Sequence, residues 1–184
     1  MKDYKISLTG DIGSGKSTVG ELLSEKYGLE KVSIGFILRD MAKDYGMNVK
    51  EFNIYMETHP EIDALLDNKL KEYETKSGNY LFDSRMAWHF VPSSFSVFIK
   101  VSTEIAAERI MKAGRSEEIY KNMGEAVENI KARHKSETLR YKTLYGVDLD
   151  NYDNYDLVVD TDGKSPEEIV KIICDGFDNW LKNG

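Results

Sequence analysis

A lysine and a hydroxyl residue closing a glycine-rich run form a combination suited to phosphate. Residues 10–18 read Gly10-Asp11-Ile12-Gly13-Ser14-Gly15-Lys16-Ser17-Thr18, which fits G-x-x-x-x-G-K-[ST]. Glycines let backbone N–H groups curl around phosphate oxygens without Cβ clashes. A helix starting directly after the run points its positive end at the same anion. Lys16 then supplies charge to the β and γ phosphates, and Ser17 supplies a hydroxyl to Mg²⁺. The candidate donor-binding residues are therefore Gly10, Asp11, Gly13, Ser14, Gly15, Lys16, Ser17 and Thr18. The loop implies a bound nucleoside triphosphate such as ATP and leaves the reaction open.

A second group sits at Leu81-Phe82-Asp83-Ser84-Arg85. If this is a strand parallel to the one before the loop, Asp83 and Arg85 emerge at the edge where α/β sheets bind ligands. Asp83 can hold Mg²⁺-bound water beside Ser17, and Arg85 can grip a second anion. The arginines as a set carry information. The 25 basic residues include only Arg39, Arg85, Arg109, Arg115, Arg133 and Arg140; the rest are Lys. Arg offers a planar bidentate fork that Lys cannot replace at phosphate or carboxylate. Arg133, Glu137 and Arg140 are spaced i, i+4, i+7, so they share one helix face, where Glu137 can orient both guanidiniums. Asp63 and Asp67 lie one turn apart. They can accept from an exocyclic amine of a base, hold Arg39, or form an exposed acidic face, and the residues alone leave these three open.

The elements that must position these groups follow from patterning. Strands are expected at Tyr4–Thr9, Lys31–Ser33, Asn79–Asp83, Phe95–Val101 and Asp156–Asp160. Helices are expected at Thr18–Tyr27, Phe36–Tyr45, Val49–Glu57, Glu61–Lys76, Glu104–Ala113, Glu125–Tyr145 and Pro166–Leu181, with Gly28, Gly46 and Gly146 as stops. Strands alternate with helices at spacings that suit parallel crossovers, which gives an α/β three-layer fold. Two charged helical inserts, residues 34–78 and about 112–145, read as elaborations of one sheet, so residues 1–184 form one domain.

Composition narrows the classes. The net charge is −7, whereas a nucleic-acid binder carries a basic face. No apolar run approaches the ~20 residues of a membrane span. The start of the chain reads as strand rather than signal peptide, and the single Cys174 excludes a disulfide framework or thiolate zinc cluster; a reducing cytoplasm is the expected compartment. No N-K-x-D guanine reader and no triple-glycine run are present.

Taken in order, four stretches resemble the cytidylate kinase family of nucleoside monophosphate kinases, in the form seen in archaea and some bacteria. They are the phosphate loop; Ser33-Ile34-Gly35-Phe36-Ile37-Leu38-Arg39-Asp40-Met41-Ala42; Asp83-Ser84-Arg85-Met86-Ala87-Trp88; and Arg133-His134-Lys135-Ser136-Glu137-Thr138-Leu139-Arg140-Tyr141, completed by Tyr145-Gly146-Val147-Asp148. The resemblance implies a P-loop NTPase fold with a five-stranded parallel sheet of order 2-3-1-4-5. It also implies transfer of a phosphoryl group from ATP, with Mg²⁺, to CMP or dCMP; the residues alone leave open a kinase for another small acceptor (AMP, UMP or a non-nucleotide) or a non-catalytic nucleotide-binding regulator. Ser33, Gly35, Arg39, Asp63, Asp83, Arg85 and Glu137 would bind the acceptor, and the loop from Thr161 to Lys164 would pass beside the donor adenine. Lys16, Arg109, Arg115, Arg133 and Arg140 would meet the transferring phosphates. The expected partners are small nucleotides alone, and the expected state is a monomer. His134 and His59 depart from the family pattern and carry no assigned role.

Overall fold

A computed structural model describes residues 3–114 and 120–183. Five parallel strands form the sheet: β1 (Lys5–Gly10), β2 (Glu30–Ser33), β3 (Tyr80–Asp83), β4 (Phe95–Lys100) and β5 (Leu157–Asp160), in spatial order β2-β3-β1-β4-β5. β1 is buried along its whole length, as a strand covered on both faces must be. The register brings three strand ends together. Ser33 pairs with Asp83, Leu8 pairs with Asp83, and Gly10 pairs with Ile99. The phosphate loop, Ser33 and Asp83 thus leave the sheet at one carboxyl edge.

Helices cover both faces: α1 (Lys16–Tyr27), α2 (Ile34–Asp44), α3 (Val49–Met56), α4 (Pro60–Thr75), α5 (Ala87–Phe90), α6 (Thr103–Ala113), α7 (Met123–Tyr145) and α8 (Pro166–Asn183). On one face α1 and α8 bury Val19, Leu23, Ile173, Cys174 and Phe177 against Ile6, Leu81 and Ile99. On the other, Phe82, Phe90, Val147 and Leu149 pack together. The insert α2–α4 has its own cluster of Ala42, Phe52, Met56, Ile62 and Leu66. Each fully buried large side chain there is worth roughly 1.5–3 kcal/mol, so the insert has an apolar centre of its own holding its inner wall in shape.

Several boundaries differ from the sequence expectation for local reasons. α1 begins at Lys16 rather than Thr18, because left-handed Gly15 is the cap and the helix starts at once. α7 begins at Met123, where the Asn122 side chain accepts from the Glu125 N–H at 2.9 Å. The four-residue α5 and a 3₁₀ turn at Tyr152–Asn154 were not anticipated, since elements this short carry no periodic signal.

Candidate active site

The first turn of α1 has no side-chain cap and no acidic residue. Its N–H groups therefore have no protein side chain to satisfy them and point at the loop's centre. Gly13 (φ +77) lies so close to Ala106 that a Cβ would sit 2.9 Å from its carbonyl oxygen, so no larger residue fits that turn. The Lys16 ammonium is folded back onto the loop, donating to the Gly10 carbonyl at 3.0 Å and the Asp11 carbonyl at 2.7 Å. Burial first, and then the neighbouring Arg85 charge, push its pKa down to about 7. The Ser17 hydroxyl donates to Asp83 Oδ2 at 3.2 Å. Uncapped N–H groups, a lysine held among carbonyls and a paired hydroxyl and carboxylate together fit a triphosphate with a divalent metal. Among the described residues no group of three or more His, Cys, Asp or Glu is gathered to hold a metal by protein ligands alone. A two-oxygen site of this kind depends on phosphate and water for the rest of a Mg²⁺ shell.

A cleft of about 540 Å³ runs from this loop to the α2–α4 insert. Gly13, Ser14, Gly15, Lys16, Ser17 and Thr18 line one end. Ser33, Gly35, Arg39, Asp63, Asp67, Asp83 and Arg85 line the other, and Arg109, Arg133, Glu137, Arg140 and Tyr141 border it. Most of the residues expected from sequence are thereby brought to one cavity. Ser33 also accepts from the Phe36 N–H at 3.3 Å and so caps α2. Arg115 lies outside the described residues.

Four expectations change in detail. Glu137 accepts from Arg85 Nε at 2.8 Å, a partner delivered from outside its own helix, while the charges of Arg133 and Arg140 on that helix act on it as well. It is one carboxylate among the charges of Arg85, Arg133, Arg140 and Lys16, which together hold it below the usual carboxylate range despite burial. Arg140 faces Asp63 at 3.5 Å, so Asp63 holds Arg140 rather than Arg39. Both are buried, which removes the exposed acidic face. Asp11 turns its side chain from the cleft to accept from the Val101 N–H at 2.8 Å, tying the loop to the end of β4. Thr161 itself is fully buried, and it is Lys164, at the other end of the same loop, that lines the cleft. The Thr161 hydroxyl and carbonyl each accept from Arg109 at 3.0 Å, fixing a guanidinium that also reaches the Ser14 carbonyl at 3.4 Å. Tyr141 and Asn53, which the sequence gives no role, also stand on the cleft wall. Tyr141 was visible only as the aromatic one place after Arg140. Trp88 packs on Tyr155 and donates its indole N–H to the Arg85 carbonyl at 3.1 Å, holding the backbone behind the arginine.

The sequence profile of the cytidylate kinase-like family matches residues 5–163. The chain belongs to that family. This kinase is 37% identical over 182 residues to the cytidylate kinase of Methanocaldococcus jannaschii, covering 96% of this chain and 99% of that one. It is also 36% identical over 174 residues, 94% of its length, to an S-adenosylmethionine-dependent nucleotide dehydratase of Lacinutrix mariniflava, of which it spans only 36%. Among solved structures, the shikimate kinase of Bacteroides thetaiotaomicron shares the fold, with a TM-score of 0.64 at 16% identity over 97% of this chain and 98% of that one. Family membership makes the cytidylate kinase-like chain a phosphotransferase that uses nucleotides. No helix among its described residues is long and apolar enough to cross a membrane.

Proposed function

We propose that the chain transfers the γ-phosphoryl group of ATP to CMP or dCMP, giving the diphosphate and ADP. The observation that carries this reading is the continuous cleft with a triphosphate loop at one end and Arg39, Arg85 and a buried Asp63–Arg140 pair at the other. An acceptor phosphate oxygen forms the new bond to the γ phosphorus as the bond to the β–γ bridging oxygen breaks, and the electron pair leaves on ADP. No protein nucleophile is required.

The work of the protein is to bring two polyanions together. Unit charges 4 Å apart repel by about 4 kcal/mol at an effective dielectric of 20, which explains the concentration of arginine. Lys16, the α1 N–H groups and Arg109 hold the donor. Arg39 and Arg85 hold the acceptor phosphate, with Ser33 and Gly35 shaping its pocket. Arg133 and Arg140, together with Arg115, meet the charge that moves between the two. Mg²⁺ would be held by Ser17 and Asp83 and would neutralise phosphate charge when bound. The inserts at residues 34–78 and 112–145 serve as acceptor-binding wall and lid. The buried Asp63 and Asp67 carboxylates favour a base with an exocyclic amine, since they would face the O4 of uracil unfavourably.

The test is ADP release with CMP, dCMP, UMP, AMP and GMP at fixed Mg·ATP. The highest kcat/KM is expected for CMP or dCMP. A clear preference for AMP overturns the cytidylate assignment and leaves a nucleoside monophosphate kinase. Absence of turnover with all five overturns the nucleotide acceptor.

A further inference from the structure

The Tyr145-Gly146 turn that ends α7 has no part in the reaction above, yet it is built with care. Gly146 takes φ +68 and donates its N–H to the Lys142 carbonyl at 3.0 Å, closing the helix. The chain then turns so that Val147 and Leu149 are buried with Phe82 and Phe90. The Tyr145 ring packs edge-on against Phe90 and lies beside His89 and Tyr141. Held from behind in this way, its hydroxyl donates to Asp67 Oδ2 on α4.

Asp67 belongs to a small buried network. Asp63, one turn earlier, is 3% exposed and Asp67 is 5% exposed. Asp63 Oδ2 faces Arg140 Nε at 3.5 Å, and neither atom makes a hydrogen bond. Arg140 donates through Nη2 to the Tyr141 hydroxyl at 3.4 Å. Asp63, Asp67, Arg140 and Tyr141 line the cleft, whereas Tyr145 does not.

We propose that Tyr145 is a positioning residue for the acceptor end: its hydroxyl fixes the Asp67 carboxylate, leaving Asp63 alone to face Arg140. The inference rests on the reading of that end as the acceptor pocket. Two buried carboxylates one turn apart compete for one guanidinium. Burial raises the pKa of both, and the Asp67 charge raises that of Asp63 further. The other charged or titratable groups facing Asp67 are Tyr145, Lys71 and Arg140, and each favours its ionised form. The phenol is the only one of the three that Asp67 is hydrogen-bonded to among the described residues. It sets where the Asp67 carboxylate points, and so leaves Asp63 Oδ2 and Arg140 Nε facing each other at 3.5 Å in the wall of the cleft.

Titration calorimetry of CMP and, separately, of ATP tests this on the wild type, Tyr145→Phe, Asp67→Ala and the double variant. Tyr145→Phe keeps the packed ring and removes only the hydroxyl. It should weaken CMP about tenfold, the scale of one lost hydrogen bond to a charged group, with ATP affinity unchanged. The two single losses should not multiply in the double variant, because both cut the same link. A thermal midpoint close to wild type for Tyr145→Phe separates this from loss of folding. CMP affinity within twofold of wild type, equal weakening of ATP, or multiplying losses would each overturn the proposal. A wild-type chain that binds no nucleoside monophosphate overturns the acceptor reading itself, and this inference falls with it.

Discussion

At the donor end of the cleft, nine consecutive residues, Gly10–Thr18, supply the loop backbone, the ammonium and the hydroxyl, and one turn of α1 supplies the N–H groups. At the acceptor end, the side chains come from α2, α4, the segment after β3, and α7, spread from Ser33 to Tyr141. The donor end needs only a strand, a turn and a helix in the right order. The acceptor end requires side chains far apart in the chain to meet inside a buried space, where each charge needs a partner. Arg85 finds Glu137, and Arg140 finds Asp63. A local, backbone-built site should therefore tolerate loss of a side chain structurally and fail chemically. A non-local, charge-paired site should fail in both ways.

Lys16→Ala should show the first pattern with the largest effect. Lys16 is half-buried on the loop near Arg85, and desolvation already disfavours its charge, so the fold loses little when the ammonium goes. Removing one charge that meets the transferring phosphoryl costs about 10³-fold in kcat. Steady-state ADP release and thermal unfolding read both sides. Near-normal turnover would take the loop out of the mechanism, and a large drop in the unfolding midpoint would erase the contrast between the two ends.

Glu137→Ala should show the second pattern. The carboxylate is the direct partner of Arg85; a fully buried pair loses about 3–5 kcal/mol when one member goes, and this pair, with side chains 19% and 13% exposed, loses less. The unfolding midpoint should fall, and acceptor KM should rise because Arg85 loses the contact that aims it. ATP affinity should hold or tighten, since an anion leaves a cluster of four cations. An unchanged midpoint would mean that Arg85 is held by the rest of the cluster.

The same contrast decides what the sequence makes legible. The alternation of strands and helices, the phosphate loop, and Ser17 with Asp83 are readable because each depends on a local motif or on periodicity, whereas the strand order follows only from the family resemblance. The partner choices of Glu137 and Asp63 are not readable. Helical spacing places Arg133, Glu137 and Arg140 on one face, but β3 delivers Arg85 to that face and α4 delivers Asp63, and only the packed fold brings those carboxylates and guanidiniums into register. Asp11 shows the converse. It stands inside the loop motif, yet its side chain serves the sheet by accepting from Val101, because the neighbouring strand end leaves an N–H to satisfy. Thr161 follows β5 at the same edge and faces inward, so its hydroxyl and carbonyl brace Arg109.

The smallest expected effect is the most direct probe of the donor end alone. Without phosphate, Lys16 titrates at about 7 instead of its ordinary 10.5. A triphosphate beside it favours the charged ammonium and so raises its pKa. Below pH 7 the free lysine is already protonated, and ATP binding takes up little. Above pH 7 the free lysine is largely neutral, so binding must draw a proton from solution. Calorimetry of ATP binding in buffers of different ionisation enthalpy should give uptake near one proton at pH 8 and little at pH 6, with ATP affinity falling as pH rises between 7 and 9. Lys16→Ala should abolish the uptake. CMP binding should lack this proton uptake, because Lys16 lies at the donor end of the cleft. Uptake at pH 8 no greater than at pH 6 would mean that the loop carbonyls keep the ammonium charged in the free protein, and that hydrogen bonding outweighs burial at this site.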